Sequence, residues 1–271
     1  MLKSYDAALS TTVFTLPEPP AAPSPDQPAP VVVHKVDWEE VGFPENKGKV
    51  ALIIDNALTP EDCQKLLKAA EDSAPWSAAA IHGGPGDKTG VVVEDYRKSS
   101  RILLDDFELA DFILSKLKPH LPREALDAPK SKYHQFGLDG EGNQDKLKKI
   151  FRIKQASPVQ LTRLNERLRY LKYVDGDFFE PHCDASYRTP DHSEISCLTL
   201  QLYLNGSQEG LEGGATQFLS KQKRDVSVDV NPRPGRALIF EQGNLIHCGA
   251  KVLKGEKYTI RTDLMYKKVS A

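Results

Sequence analysis

The chain has no C-x-x-C pair and no cysteine spacing of the kind that frames a disulfide scaffold; its four cysteines, Cys63, Cys183, Cys197 and Cys248, are scattered. That fits a reducing compartment. It also lacks any run of 18 apolar residues, and its first ten residues, Met-Leu-Lys-Ser-Tyr-Asp-Ala-Ala-Leu-Ser, lack the apolar core of a signal peptide. These absences predict a soluble intracellular protein, cytoplasmic or nuclear, with no membrane partner. Charge of one sign is missing too: the net charge is −2 and the pI near 6.4. Nothing in the global balance draws the chain to nucleic acid, and none is expected as a partner.

What is present is enough chain, 271 residues, for one good-sized core. The segment up to about residue 30 is rich in proline, a composition that cannot continue a helix or a sheet ladder, so residues 1–44 read as a semi-rigid tail. Order is expected to begin near Val50-Ala-Leu-Ile-Ile-Asp55. Thr59 then caps a helix with Pro60 in its first turn and acids at 61 and 62, and Cys63, Leu66, Leu67 and Ala70 form its apolar face. Arg97-Lys-Ser-Ser-Arg-Ile-Leu-Leu reads as a strand. Asp106 precedes a second helical stripe of Leu109, Phe112, Ile113 and Leu117. Residues 77–95, with Gly83-Gly-Pro-Gly, read as a loop, and 124–160 as a polar insertion.

From about residue 166 the texture changes to short β-type runs with no helical pattern between them, including Cys197-Leu-Thr-Leu-Gln-Leu-Tyr-Leu and Tyr258-Thr-Ile-Arg-Thr-Asp-Leu-Met-Tyr. Six or more strands at this spacing argue for an antiparallel sandwich or jelly roll. The expected fold is α+β, mainly β. A helical support spans 45–160, and a jelly-roll core 161–268 completes one domain over 45–271.

One stretch carries the chemistry: Tyr173-Val-Asp-Gly-Asp-Phe-Phe-Glu-Pro-His182-Cys-Asp184. Residues i and i+2 of a strand share a face, so His182 and Asp184 can reach one point while Cys183 turns away. His247, 65 residues on, is a candidate third ligand. Two imidazoles and one carboxylate on one side of an ion form the facial triad suited to Fe(II), with open positions left over. The H-x-D pair alone is weak evidence and reads more simply as a His and an Asp held by local hydrogen bonds near a turn.

Several segments together resemble the Fe(II)- and 2-oxoglutarate-dependent dioxygenases, in their prolyl 4-hydroxylase-like branch. They are Tyr173-x-x-Gly176-x-x-Phe179-x-x-His182-x-Asp184, Leu-Tyr203-Leu-Asn205, Gly213-Gly214-Ala-Thr216-Gln-Phe218, Pro234-Gly235-Arg-Ala-Leu-Ile-Phe240, His247-Cys-Gly, and Lys254-Gly-Glu-Lys257-Tyr-Thr-Ile-Arg261-Thr-Asp. The resemblance runs over roughly 45–268 and implies a double-stranded β-helix with N-terminal supporting helices.

It further implies that His182, Asp184 and His247 hold iron, and that O₂ and 2-oxoglutarate become succinate and CO₂ as an unactivated C–H bond is hydroxylated, with ascorbate as reductant. The far carboxylate of 2-oxoglutarate needs a cation. Lys257, ten past His247, matches the prolyl hydroxylase pattern; Arg261, fourteen past, resembles the last-strand arginine of other branches, and its fork, able to bind both oxygens, favours it. Tyr173 and Thr216 match residues that line the same pocket. Read without the resemblance, Lys257 is a solvated strand-edge lysine, and Tyr173 and Thr216 are half-buried strand residues.

Phe179 and Phe240 read as barrel core, Gly213 and Gly214 as backbone geometry, and His34, His82, His120, His134 and His192 as carrying no motif. Cys183 and Cys248 flank presumed ligands and are expected to point away from them. The substrate class stays open among a prolyl residue of a peptide, a free amino acid and a small metabolite. A catalytically silent peptide-binding relative and a cupin-like metal enzyme without 2-oxoglutarate are the alternatives. Oligomeric state is not legible.

Overall fold

Leucine alternates with threonine, glutamine and tyrosine through Leu198-Thr-Leu-Gln-Leu-Tyr-Leu204, and alternation at period two puts the leucines on one face and the other three on the opposite face. That strand, β10 (Glu194–Tyr203), lies in the middle of a nine-stranded sheet in the computed structural model. The structure describes residues 11–15, 19–20, 29–80, 91–122, 159–223 and 226–268. The Gly83 loop at 81–90, nearly all of the 124–160 insertion, and His82 and His134 lie outside them.

Across the larger sheet the strands run β2 (Val32–Lys35), β3 (Ala51–Asp55), β14 (Ala237–Glu241), β10, β17 (Lys257–Lys268), β8 (Arg167–Tyr173), β6 (Ser100–Asp105) and β4 (Ser77–Ala78), and β7 (Val159–Leu164) also pairs with β17. Facing it is a six-stranded sheet in the order β1 (Thr11–Thr15), β13 (Val226–Val230), β12 (Thr216–Leu219), β15 (His247–Gly249), β9 (Phe178–His182) and β5 (Arg97–Lys98). A two-stranded piece, β11 (Glu212–Gly213) with β16 (Val252–Lys254), completes the set. All pairings are antiparallel apart from β1 with β13, which is parallel. Two packed, mostly antiparallel sheets make the jelly roll expected above.

The helices sit where the leucine face needs cover. In α1 (Pro60–Ser73), Thr59 accepts from the Asp62 backbone while the Asp62 side chain accepts from the Thr59 N–H, a capping box that ties down two otherwise unpaired donors. Asp106 caps α2 (Phe107–Leu117) by accepting from Leu109 N–H. Cys63, Leu66 and Ala70 of α1 and Ala110, Ile113 and Leu117 of α2 bury against Leu198, Leu200 and Leu202. The opposite face of the same strands builds a second core between the sheets, with Ile53, Tyr203, Phe218, Leu238 and Phe240. Phe240 is barrel core as expected.

The packed body starts earlier than residue 45. Trp38 is 3% exposed and Phe43 0%; Trp38 meets Phe218 edge-on at 5.3 Å between centroids. Strand β1 also lies within the proline-rich segment and pairs along β13. Proline density marks where the ladder cannot run, but a single buried Trp between prolines is enough to anchor the chain. Among the described residues, no helix is long and apolar enough to cross a membrane.

Candidate metal centre and cosubstrate pocket

Strands β9 and β15 are antiparallel neighbours, and their register sets His182 directly opposite His247. The two imidazoles lie 4.3 Å apart between centroids. Asp184, just past β9, offers Oδ1 at 3.8 Å from His182 Nε2 and Oδ2 at 3.9 Å from His247 Nε2. One ligand atom from each of the three falls within 4.8 Å of the others.

The imidazoles are oriented for ligation. His182 Nδ1 lies 2.8 Å from Glu180 O and His247 Nδ1 lies 3.1 Å from Leu245 O. A carbonyl can only accept, so Nδ1 carries the proton and both Nε2 lone pairs point to the common centre. Burial, then the neighbouring His247, pushes His182 down to about 3, against the pull of Asp184. Burial lowers His247 as well. Burial alone would raise Asp184, but Arg261, then the two histidines and the Thr199 hydrogen bond, hold it well below the usual carboxylate range. Two neutral imidazoles and an anionic carboxylate are the donor set a divalent ion requires.

Support comes from the polar face of β10 and β17. Thr199 Oγ1 donates to Asp184 Oδ2 at 2.7 Å, and Gln242 Nε2 donates to Thr199 Oγ1 at 3.2 Å and to Asp263 Oδ1 at 2.9 Å. Arg261 Nη2 lies 3.3 Å from Asp184 Oδ1 and 3.3 Å from Asp263 Oδ1. Phe179 stacks on His182 at 3.8 Å and 24°, with Arg97 over the Phe179 ring at 4.5 Å. Phe179 is thus half-buried at the site, where barrel core was expected. Phe240 packs edge-on to His247 at 4.6 Å.

Residue Lys257 opens the same stripe. It is 2% exposed, which excludes a solvated strand-edge lysine, and its register partner is Tyr173. Its Nζ sits 5.1 Å from the Tyr173 ring and 5.7 Å from the Tyr203 ring. No carboxylate pairs with it among the described residues, and burial pushes its ammonium down to about 8. Two residues along β17, the Thr259 hydroxyl is buried without a hydrogen-bond partner. Thr216 Oγ1 accepts from Tyr203 Oη at 2.7 Å and from Gln201 Nε2 at 3.1 Å. At Gly214, with φ +69°, a Cβ would stand 3.2 Å from Lys257 Cδ, so glycine serves both the turn and the room for the lysine stem. A buried ammonium without a carboxylate among the described residues and a buried hydroxyl without a hydrogen-bond partner are together complementary to a carboxylate.

The chain from β8 to β17 therefore gathers three candidate metal donors at β9 and β15 of one sheet and a buried ammonium on the polar stripe of β17 in the other. Residues 168–262 match the model described as the 2OG-Fe(II) oxygenase superfamily, where 2OG is 2-oxoglutarate. The match lies within the jelly-roll core. The chain is similar to a Trichoplax adhaerens prolyl hydroxylase solved with a hypoxia-inducible-factor oxygen-degradation-domain peptide fragment. That match has 17% identity and TM-score 0.52, and covers 83% of this chain and 86% of that one. It is also similar to a Pseudomonas putida prolyl-4-hydroxylase, at 15% identity and TM-score 0.46 over 76% and 88% of the two chains. The viral collagen prolyl hydroxylase of Paramecium Bursaria Chlorella virus-1 aligns at 16% identity and TM-score 0.44, over 81% of this chain and 96% of that one. No curated protein matches the chain in sequence.

Sequence reasoning missed Thr199, Gln201, Thr259, Arg169, Gln242 and Asp263. For the β10 pair the signal was available, because Thr, Gln and Tyr alternate with leucine and must share one face. His192, exposed in the loop after the H-x-D strand, does not join the site. Cys183 is exposed, and Cys248 turns its thiol to Gln217 Oε1 at 3.6 Å, pushed up to about 12 by burial.

Proposed function

We propose that this 2-oxoglutarate-dependent dioxygenase hydroxylates an unactivated C–H bond, with iron on His182, Asp184 and His247 and 2-oxoglutarate held by Lys257. The observation that carries the reading is the buried Lys257 ammonium, without a carboxylate partner among the described residues, on the same β17 stripe from which Arg261 reaches Asp184. An isolated buried cation is costly, and the carboxylate of a cosubstrate removes that cost. This reverses the preference for Arg261 as anchor, since that guanidinium already faces Asp184 and Asp263.

When bound, iron and 2-oxoglutarate supply the oxidising chemistry with O₂. The chain's own residues do the rest. Lys257 and Thr259 bind the far carboxylate, and Tyr173 and Tyr203 wall the ammonium from water. Thr199 and Gln242 fix the Asp184 carboxylate, while Phe179 and Phe240 hold the imidazole planes. A peptidyl proline is one candidate substrate, given the fold shared with the Trichoplax enzyme; a free amino acid or a small metabolite is another.

Anaerobically purified protein supplied with Fe(II), ascorbate, O₂ and 2-oxoglutarate should form succinate above a His182→Ala control. Lys257→Ala should raise the 2-oxoglutarate requirement at least about tenfold, the value of a charged hydrogen bond in a buried site. Absence of succinate, together with no calorimetric binding of metal or 2-oxoglutarate, would leave a silent peptide-binding relative as the better account.

A further inference from the structure

Beyond the three ligands and the Lys257 pocket, the stripe holds a second cationic group that neither iron nor 2-oxoglutarate accounts for. β17 and β8 set Arg261 directly opposite Arg169, and both side chains reach the one buried carboxylate of Asp263: Arg261 Nη2 at 3.3 Å from Oδ1, Arg169 Nη1 at 3.4 Å from Oδ2. Asp263 also accepts from Gln242 and, at 3.3 Å, from Asn165 Nδ2. Its oxygens are thus shared among four donors.

Charge on the stripe does not balance. Among the described residues, the ion pairs of Arg261 and Arg169 are with Asp184 and Asp263 alone, and Lys257 pairs with no carboxylate. A divalent ion and a dianionic cosubstrate cancel one another, and Asp184 becomes a ligand of the ion. The loaded centre therefore keeps one positive charge, localised on the Arg261–Arg169 pair and away from the lysine.

Geometry agrees with the count. Arg261 Nε is buried and reaches no hydrogen-bond partner, so part of its fork is unused. The side chains of Arg261 and Arg169 keep 19% and 27% of their surface exposed, so a ligand can reach them. Burial, then Arg261, depresses Arg169, while Asp184 and Asp263 raise Arg261 against its own burial. Arg97 lies over Phe179, whose ring stacks on His182, and Arg97 has no carboxylate partner among the described residues.

We propose that the substrate of this oxygenase carries a carboxylate, bound by the forks of Arg261 and Arg169 beside the metal. This rests on the reading of Lys257 as the 2-oxoglutarate anchor and assigns the second cationic group to the substrate. A planar guanidinium fork suits a carboxylate better than a neutral amide, which offers no charge to offset a buried cation. Two sources share that chemistry, the α-carboxylate of a free amino acid and an acidic side chain of a peptide.

The test uses the full chain loaded with Mn(II) and 2-oxoglutarate under anaerobic conditions, titrated calorimetrically with three sets of probes. These are the free proteinogenic amino acids, their amides, and short blocked peptides with Asp or Glu and their Asn or Gln counterparts. At least one acid should bind at least about tenfold more tightly than its amide. Arg261→Gln and Arg169→Gln should each erase that preference, and Arg169→Gln, at a residue whose ion pair is with Asp263 and not Asp184, should leave the affinities for Mn(II) and 2-oxoglutarate within about twofold of wild type. Free acids binding without peptides, or the reverse, names the source.

If amides bind as well as acids, or no acid binds to the loaded protein, the proposal is overturned. It also falls if Arg261→Gln loses 2-oxoglutarate, which would make Arg261 the anchor, or if Arg169→Gln loses Mn(II), which would make the pair only a support for the ligands. Failure of wild type to bind Mn(II) or 2-oxoglutarate at all would instead sink the oxygenase reading itself.

Discussion

The site is decided by which atoms are left over once each side chain has satisfied its neighbours. His182 and His247 spend Nδ1 on a carbonyl and keep Nε2; Asp184 takes one hydroxyl from Thr199; Lys257 has no anion. Thr199 never touches an ion in this arrangement, yet Thr199→Val should weaken Mn(II) binding by about 10- to 100-fold, the usual cost of losing a group that orients a ligand. Calorimetry of the variant against Thr199→Ser, which restores the donor, separates orientation from packing.

The lysine gives a pH signature. Its folded value, about 8, lies below the ordinary 10.5, and a docked carboxylate would raise it again. Binding of 2-oxoglutarate should therefore take up close to one proton at about pH 9 and almost none at about pH 7, measured in two buffers of different ionisation enthalpy. The same depression means the ligand-free protein gains stability from this group as pH rises from about 8 toward 10.5, because the unfolded chain holds the proton longer.

Residue types made the triad legible, since H-x-D with a later His is a ligand pattern in sequence. What was not legible is competition. Lys257 and Arg261 look interchangeable along β17, and only the carboxylates beside Arg261, supplied by residues 77 positions away and two positions on, distinguish them.

At the scale of elements, local signals read well because each is a short-range contact. The Thr59 cap and the Asp106 cap depend on residues three positions apart, and both helices start where those caps stand. Removing a cap costs little: Thr59→Ala should lower stability by about 1 kcal/mol. Leu200, fully buried between sheet and helices, belongs to another regime, and Leu200→Ala should cost about 2–5 kcal/mol, measured by urea unfolding with the slope unchanged. Strand order could not be read the same way. β3 pairs with β14, nearly two hundred residues on, and such pairing is fixed by packing rather than by any neighbour in sequence.

Over the whole molecule, one buried ion pair ties the beginning of the ordered chain to its far end. Arg236 Nε and Nη2 donate to the two oxygens of Asp55 at 2.6 and 3.1 Å, with both side chains almost wholly buried. Next to it, Gly235 has φ +74°, and a Cβ there would come within 1.9 Å of Leu58 O. Asp55→Ala leaves a buried guanidinium without its carboxylate, held only by the Asn231 carbonyl, and should cost about 3–5 kcal/mol in thermal or urea unfolding. Composition could not place the start of this body, because it weighs the prolines of the first segment and not the two rings, Trp38 and Phe43, that lock the following turn into the core.

Strand β10 has a fixed division of labour: Leu198, Leu200 and Leu202 meet the helices, while Thr199, Gln201 and Tyr203 meet the pocket. That division makes the enzyme modular for change. A laboratory selection that varies only the alternate positions of β10 and β17, leaving Thr199 and Lys257 in place, can search new substrates while the leucine scaffold beneath stays untouched.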